Sequence, residues 1–196
     1  MTYQRKDAFY ARAKGAGYRS RAAYKLLELV QRYRLIGRGD HVVELGAWPG
    51  GWLQVAAQLV GPQGVVVGID LRPIDPLGGP VVTITGDARD PAVQEEIRAR
   101  CGGRVDVVLS DMAPALSGVR DRDTARAVEL AEAALASAES LLGRGGRCVV
   151  KLFTSPEAEA LIRTARSHFS TVKVTRPDAT RKGSAEEYLV CVDRRE

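Results

Sequence analysis

Val43-Glu44-Leu45-Gly46-Ala47-Trp48-Pro49-Gly50-Gly51-Trp52 is the stretch that decides the fold. It runs apolar and partly β-branched up to Leu45 and then turns glycine-rich. From Trp52 to Val60 its apolar residues recur at helical spacing. A strand, a tight turn and a helix follow from this, because glycines let the chain reverse sharply and leave bare amides at a helix N-terminus for a ligand. Working outward, short β-branched runs bounded by Gly, Asp or Pro recur at His41–Leu45, Val65–Ile69, Val81–Thr85, Val105–Leu109 and Arg147–Leu152. Such runs suit strands buried on both faces. Between them lie stretches of 3.6-residue periodicity: 20–34, Trp52–Val60, Pro91–Arg100 with Asp90 as N-cap, Thr124–Leu142 and Pro156–Phe169. Two closing strands, Thr171–Thr175 and Glu187–Val192, have no long helix between them, so the last is expected antiparallel. The prediction is an α/β three-layer sandwich, a seven-stranded mostly parallel sheet with helices on both faces.

In such sheets ligands lie beyond the carboxyl ends of the strands. Asp70 closes the second run, 24 positions after Gly46, near the roughly 20-residue offset at which a carboxylate accepts from both ribose hydroxyls of an adenosine ligand. Nicotinamide and S-adenosylmethionine proteins share this arrangement. Two features favour S-adenosylmethionine here. The spacing Gly-x-x-x-Gly-Gly, with Pro49 inside, is not the dinucleotide pattern Gly-x-Gly-x-x-Gly. A second acid, Asp87, ends the third strand where it can meet an adenine amino group. The glycine loop (Gly46, Gly50, Gly51) with Asp70 and Asp87 is therefore the candidate cofactor site.

Length and composition bound the function. The 196 residues, 45% hydrophobic and 27% charged, suit one domain over 1–196 with a single sizeable core. No apolar run spans a membrane and the first residues lack a secretory h-region, so a soluble, cytoplasmic protein without membrane attachment is expected. Cys101, Cys148 and Cys191 are odd in number and far apart, which points to neither a disulfide framework nor a metal site. The net charge is +5, but up to Gly39 ten basic residues face only Asp7 and Glu28, a local +8 that leaves −3 for the rest. Residues 1–19 form a basic N-terminal arm, and aromatics interleave the basic stretch at Tyr3, Phe9, Tyr10, Tyr18 and Tyr24. This is what binding to an RNA backbone with some base stacking needs; a solvated helix is the alternative.

Lys151, inside an otherwise apolar strand, is costly unless paired, and Asp111 at the end of the neighbouring strand is its natural partner. Glu186 enters the last strand on the face opposite Glu187. A buried pair that merely fixes the sheet edge is the alternative to a catalytic role.

Five ordered blocks, Arg19-Ser20-Arg21-Ala22-Ala23-Tyr24-Lys25-Leu26, Gly46-Ala47-Trp48-Pro49-Gly50-Gly51-Trp52, Asp111-Met112-Ala113-Pro114, Val150-Lys151-Leu152-Phe153 and Ser184-Ala185-Glu186-Glu187-Tyr188, resemble the FtsJ/RrmJ family of ribosomal RNA ribose 2′-O-methyltransferases over nearly the whole chain. The resemblance implies a Rossmann-like class I S-adenosylmethionine-dependent methyltransferase fold. It also implies a tetrad of Lys25, Asp111, Lys151 and Glu186 around the reacting hydroxyl, and cofactor positions at Gly50, Trp52, Asp70, Asp87 and Asp111. Its favoured substrate is a uridine of 23S rRNA in the peptidyl transferase region of the large subunit, with a monomeric enzyme and no metal. Transfer RNA, an mRNA cap, or a non-catalytic role in ribosome assembly are the alternatives. Trp48 stands where relatives carry a small residue, and Ala115 where an Asn is common.

The chemistry suits these residue types. A ribose hydroxyl must lose its proton to become a nucleophile, and Lys151 is the expected acceptor if burial and the neighbouring Lys25 lower its pKa, while Asp111 and Glu186 push it the other way and orient the ammonium. Base methylation fits less well. Asp111-Met112-Ala113-Pro114 offers no ring on which a flipped base stacks, and no cysteine lies at a strand end. A short-chain dehydrogenase is the nearest rival enzyme, but its Tyr-x-x-x-Lys pair, mimicked by Tyr10 and Lys14, here precedes the glycine loop.

Overall fold

The computed structural model describes residues 8–115, 117–181 and 183–195. Along the chain it contains α1 (Ala8–Gly15), α2 (Ala22–Tyr33), β1 (His41–Leu45), α3 (Gly51–Val60), β2 (Val65–Asp70), β3 (Val81–Thr85), α4 (Pro91–Arg100), β4 (Val107–Ser110), α5 (Arg120–Leu141), β5 (Arg147–Phe153), α6 (Pro156–His168), β6 (Phe169–Thr175) and β7 (Glu186–Arg194). One sheet takes all seven strands in the order β3-β2-β1-β4-β5-β7-β6. The first five pair in parallel and β7 runs antiparallel to both of its neighbours.

Strand alternation divides the core into two layers. Val43, Val67, Val108, Val150 and Leu189 point into a layer built with Ile97 of α4, Ala134 and Leu135 of α5 and Leu161 of α6. Their immediate neighbours Val42, Val66, Val107, Val149 and Val190 point the other way, onto Leu26 and Leu29 of α2 and Leu53 and Val55 of α3. Every second residue of these strands is thus buried on the opposite side, which is why the runs read as continuously apolar. Among the described residues no helix is long and apolar enough to cross a membrane. All three cysteines are buried and free, and Cys148 lies directly opposite Cys191 in the β5–β7 pair.

Several boundaries differ from the sequence reading for local physical reasons. β3, one of the sheet's two edge strands, is only partly buried, since no strand covers its outer side. α5 starts at Arg120 and not at Thr124, because the Asp123 carboxylate reaches back to accept from Ser117 N (2.8 Å) and Gly118 N (3.2 Å) and organises an extra turn. The antiparallel β7 inserts between β5 and β6, a placement that periodicity does not encode. Of the basic arm, residues 1–7, including Tyr3, Arg5 and Lys6, lie outside the described residues. Of the rest, Ala8–Gly15 form the short helix α1, anchored by the buried Ala13, and residues 16–19 turn toward α2.

Candidate active site

The sheet register assembles the tetrad. Lys151 sits opposite Tyr188, and Glu186 sits opposite Phe153, two positions along, so Glu186 and Tyr188 share the face of Lys151. Glu187 points away and accepts from Thr154 Oγ1 at 3.1 Å. Asp111 follows β4 directly, one residue past the Ser110–Val150 pairing. Lys25 comes down from α2, the helix that covers this side of the sheet.

The four charged groups form an alternating ring. Lys151 Nζ lies 2.8 Å from Asp111 Oδ1 and 3.6 Å from Glu186 Oε2, while Lys25 Nζ lies 2.7 Å from Glu186 Oε1 and 3.7 Å from Asp111 Oδ1. Lys151 Nζ also donates to the Asp111 carbonyl at 2.9 Å. At the centre stands a residue that the charge pattern did not single out. The Tyr188 hydroxyl accepts from Lys25 Nζ at 3.0 Å and lies 2.5 Å from Asp111 Oδ1 and 3.1 Å from Glu186 Oε1. With one proton to give, it donates to the nearer Asp111. The signal was a tyrosine two residues after Glu186, on the same strand face, inside a buried run.

The electrostatics follow from two cations facing two anions in a buried place. Burial works against the charged form of Asp111, but Lys151 and Lys25, with hydrogen bonds from Lys151 and Tyr188, outweigh it and hold the carboxyl below its usual range. Burial likewise favours a neutral Lys151, yet Asp111 and Glu186 outweigh it and raise the lysine above its ordinary value. Of the two opposing effects expected on Lys151, the carboxylates prevail, so the fall that a base role requires is not present at rest and the resting side chain is an ammonium. Tyr188, raised by burial and by the two carboxylates, stays a neutral hydroxyl.

Adjoining the tetrad is a cavity of about 400 Å³, within the range of small-molecule sites. Gly46, Trp48, Asp70, Asp87, Asp111 and Met112 are among its walls. Gly46 has φ +75°, and a Cβ there would meet Met112 Cγ at 2.3 Å, so any side chain would collide with Met112, itself a cavity wall. Asp70 is oriented by the backbone N–H groups of Trp48 and Arg72, both at 2.9 Å. Asp87 is gripped by Arg89, whose Nη2 donates to Oδ2 at 2.6 Å, and its carboxyl is lowered to about 2 chiefly by those side-chain hydrogen bonds. Beneath the glycine loop, Glu44 is buried and its Oε2 has no hydrogen-bond partner. Burial, then the charges of Asp111 and Asp70, push it well above the usual carboxyl range. A cavity of this size with Asp70, Asp87 and Asp111 in its walls fits a positively charged nucleoside such as S-adenosylmethionine.

Gly50, Gly51 and Trp52 are not among the cavity walls. A Cβ on Gly51 would meet Ser20 Oγ at 2.2 Å, so that glycine serves the docking of α3 against the start of α2. The Trp52 indole is buried in the core, donates to the Ala22 carbonyl at 2.7 Å and packs against Tyr188 at 5.9 Å between ring centroids. Its side chain positions the tetrad, which leaves only its backbone for a ligand. The arm's aromatics are likewise partly engaged with one another. Phe9 and Tyr18 each pack on Tyr24, and Arg12 lies 4.6 Å over the Tyr24 ring.

Residues 18–194 match the model of the FtsJ-like methyltransferase family. A Methanoculleus marisnigri protein called ribosomal RNA large subunit methyltransferase E is 51% identical over 185 residues, covering 94% of this chain and 90% of the relative. Among solved structures, a Plasmodium falciparum protein described as a ribosomal RNA methyltransferase superposes with a TM-score of 0.80 at 27% identity, covering 90% of this chain and 98% of the other. Fibrillarin from Aeropyrum pernix, solved with natively bound S-adenosyl-L-methionine, shares the fold at a TM-score of 0.60 and 18% identity, over 89% of this chain and 75% of its own. The architecture is the Rossmann-like methyltransferase fold.

Proposed function

Because the chain belongs to the FtsJ-like methyltransferase family, we propose that it methylates the ribose 2′-hydroxyl of a uridine in large-subunit rRNA, in the cytoplasm, with S-adenosylmethionine as methyl donor. The observation that carries this reading is the buried ring of Lys25, Asp111, Lys151 and Glu186 at the end of a carboxylate-walled cavity. When bound, S-adenosylmethionine supplies a methyl group already activated on a positively charged sulfur. Gly46, Asp70, Asp87 and Asp111 would hold it, with Gly50, Gly51 and Trp52 contributing through backbone alone.

Lys151 receives the proton that the hydroxyl must lose. Asp111 and Glu186 hold the resting lysine as an ammonium; positive charge gathering beside Asp111 shifts it toward the free amine, its proton leaving to solvent before the RNA covers the site, and that amine then takes the hydroxyl proton. Lys25 balances the second carboxylate and, through Tyr188, fixes the geometry of the first. Residues 1–19 meet the RNA backbone through their positive charge, and a single protomer contains the whole tetrad.

The test is transfer of radiolabelled methyl from S-adenosylmethionine to large ribosomal subunits lacking this modification, with the product mapped by resistance of the modified linkage to alkaline hydrolysis. One resistant uridine linkage in large-subunit RNA is expected. Label found on a base, or transfer only to transfer RNA, would overturn the reading.

A further inference from the structure

At the mouth of the cavity the chain exposes an aromatic ring with an arginine laid over it. Trp48 is 45% exposed and Leu71, beside it, 71%, and both are among the cavity walls. The Arg72 guanidinium carbon lies 3.6 Å from the centre of the Trp48 ring, which covers one face of the indole.

This rim is built rigidly. The Trp48 and Arg72 amides both donate to Asp70, so one carboxylate ties the loop after β1 to the loop after β2. Arg19 fastens the same two loops a second time. Its Nη1 donates to the Pro49 carbonyl at 3.2 Å and the Asp75 carbonyl at 2.7 Å, and its Nη2 to the Pro76 carbonyl at 2.8 Å. An exposed indole held this firmly is pre-organised for a flat partner, with little entropy left to lose.

Charge indicates which partner. The cavity floor is acidic, suited to a cationic nucleoside, whereas the exposed Arg72 lies on the rim over Trp48; the exposed Arg89, in the cavity wall, is already paired with Asp87. A rim cation gains nothing from a positively charged cofactor, but it complements a polyanion lying across the opening. An aromatic face beside an arginine is the combination with which proteins hold single-stranded nucleic acid, the ring taking a base and the cation a phosphate.

We propose that Trp48 and Arg72 form a docking platform for the RNA substrate, on which a nucleobase flanking the target nucleotide stacks while Arg72 meets the strand's phosphate. This rests on RNA being the substrate, as proposed above. The platform holds the strand where one ribose enters the tetrad; its residues hold the substrate and move no proton.

The experiment compares wild-type, Trp48→Ala, Trp48→Phe and Arg72→Gln proteins in methyl transfer to unmodified large ribosomal subunits, and in S-adenosylmethionine binding by calorimetry. Trp48→Ala should raise KM for the subunits about tenfold, as expected for losing one stacked base, with the cofactor dissociation constant within about threefold of wild type. Trp48→Phe should recover most of that loss, and Arg72→Gln should flatten the salt dependence by about one phosphate contact. The chain has two tryptophans and Trp52 is buried, so quenching of fluorescence by an oligoadenylate should occur in the wild type and vanish in Trp48→Phe. A tenfold loss of cofactor affinity with KM for the subunits unchanged would make Trp48 a cofactor wall and overturn the proposal. No change in either, or quenching that persists in Trp48→Phe, would also overturn it. If wild-type protein transfers no methyl to the subunits, the proposed function itself fails, and the oligoadenylate titration, which needs no turnover, still decides whether the platform binds RNA.

Discussion

Tyr188→Phe removes one buried oxygen from the centre of the charged ring and changes little else. The phenyl ring keeps its place against Trp52, so no cavity opens. What is lost is a hydroxyl that accepts from Lys25 and donates to Asp111. A buried hydrogen bond to a charged group contributes about 1.5–3 kcal/mol. Each charge keeps an ion-pair partner, Lys25 with Glu186 at 2.7 Å and Asp111 with Lys151 at 2.8 Å, which places the loss toward the lower end, about 2 kcal/mol. For a domain of this size that lowers Tm by about 4–8 °C. Differential scanning calorimetry at pH 7 measures it, and single-turnover methyl transfer on the same samples reads the effect on alignment. The expected pattern is a lower Tm with transfer slowed by about tenfold, less than for loss of the base. A variant melting within about 1 °C of wild type would show that the hydroxyl is not energetically coupled to the ring, and the central position assigned to Tyr188 would be wrong.

Four further outcomes are expected. Lys151→Ala should lower single-turnover transfer by about 10²- to 10⁴-fold with RNA and cofactor binding nearly intact in titration calorimetry. Because Asp111 and Glu186 raise Lys151, the free amine is scarce at neutrality and increases with pH, so the logarithm of the wild-type rate should climb with a slope of about one through neutral to mildly alkaline pH, a dependence absent in the alanine variant. Arg89→Ala should let the Asp87 carboxyl rise from about 2 toward the ordinary range but not reach it, since the residue 89 amide still donates; carbon NMR titration of the carboxyl reads the midpoint. Gly46→Ala should impair cofactor binding and stability together, because φ +75° strains an alanine and its Cβ meets Met112 at 2.3 Å; calorimetric affinity equal to wild type would argue against the cavity as the cofactor site.

The sequence by itself determined the sheet, because strands buried on both faces leave nearly unbroken β-branched runs and helices between them leave a 3.6-residue period. It also carried the glycine turn at Gly46 and the partnership of Lys151 with Asp111, since a lysine in an apolar strand requires an acid. Those inferences are local: each needs only the spacing of residues near in sequence or on neighbouring parallel strands. What the tertiary structure decided depended on distant segments meeting. The insertion of β7 between β5 and β6 brings Tyr188 opposite Lys151 and into reach of Lys25, residues 163 positions apart, and no period marks that meeting. The sequence named the contest over Lys151 between burial and two carboxylates but not its outcome, because the distances that decide it exist only in the fold. Trp52, a cofactor position by family resemblance, has its indole turned inward by the first turn of α3 onto Tyr188, a packing that spacing alone does not reveal. Residue types and spacing set which groups are available, while packing sets which of them touch, and the charge state of a buried group depends on the second.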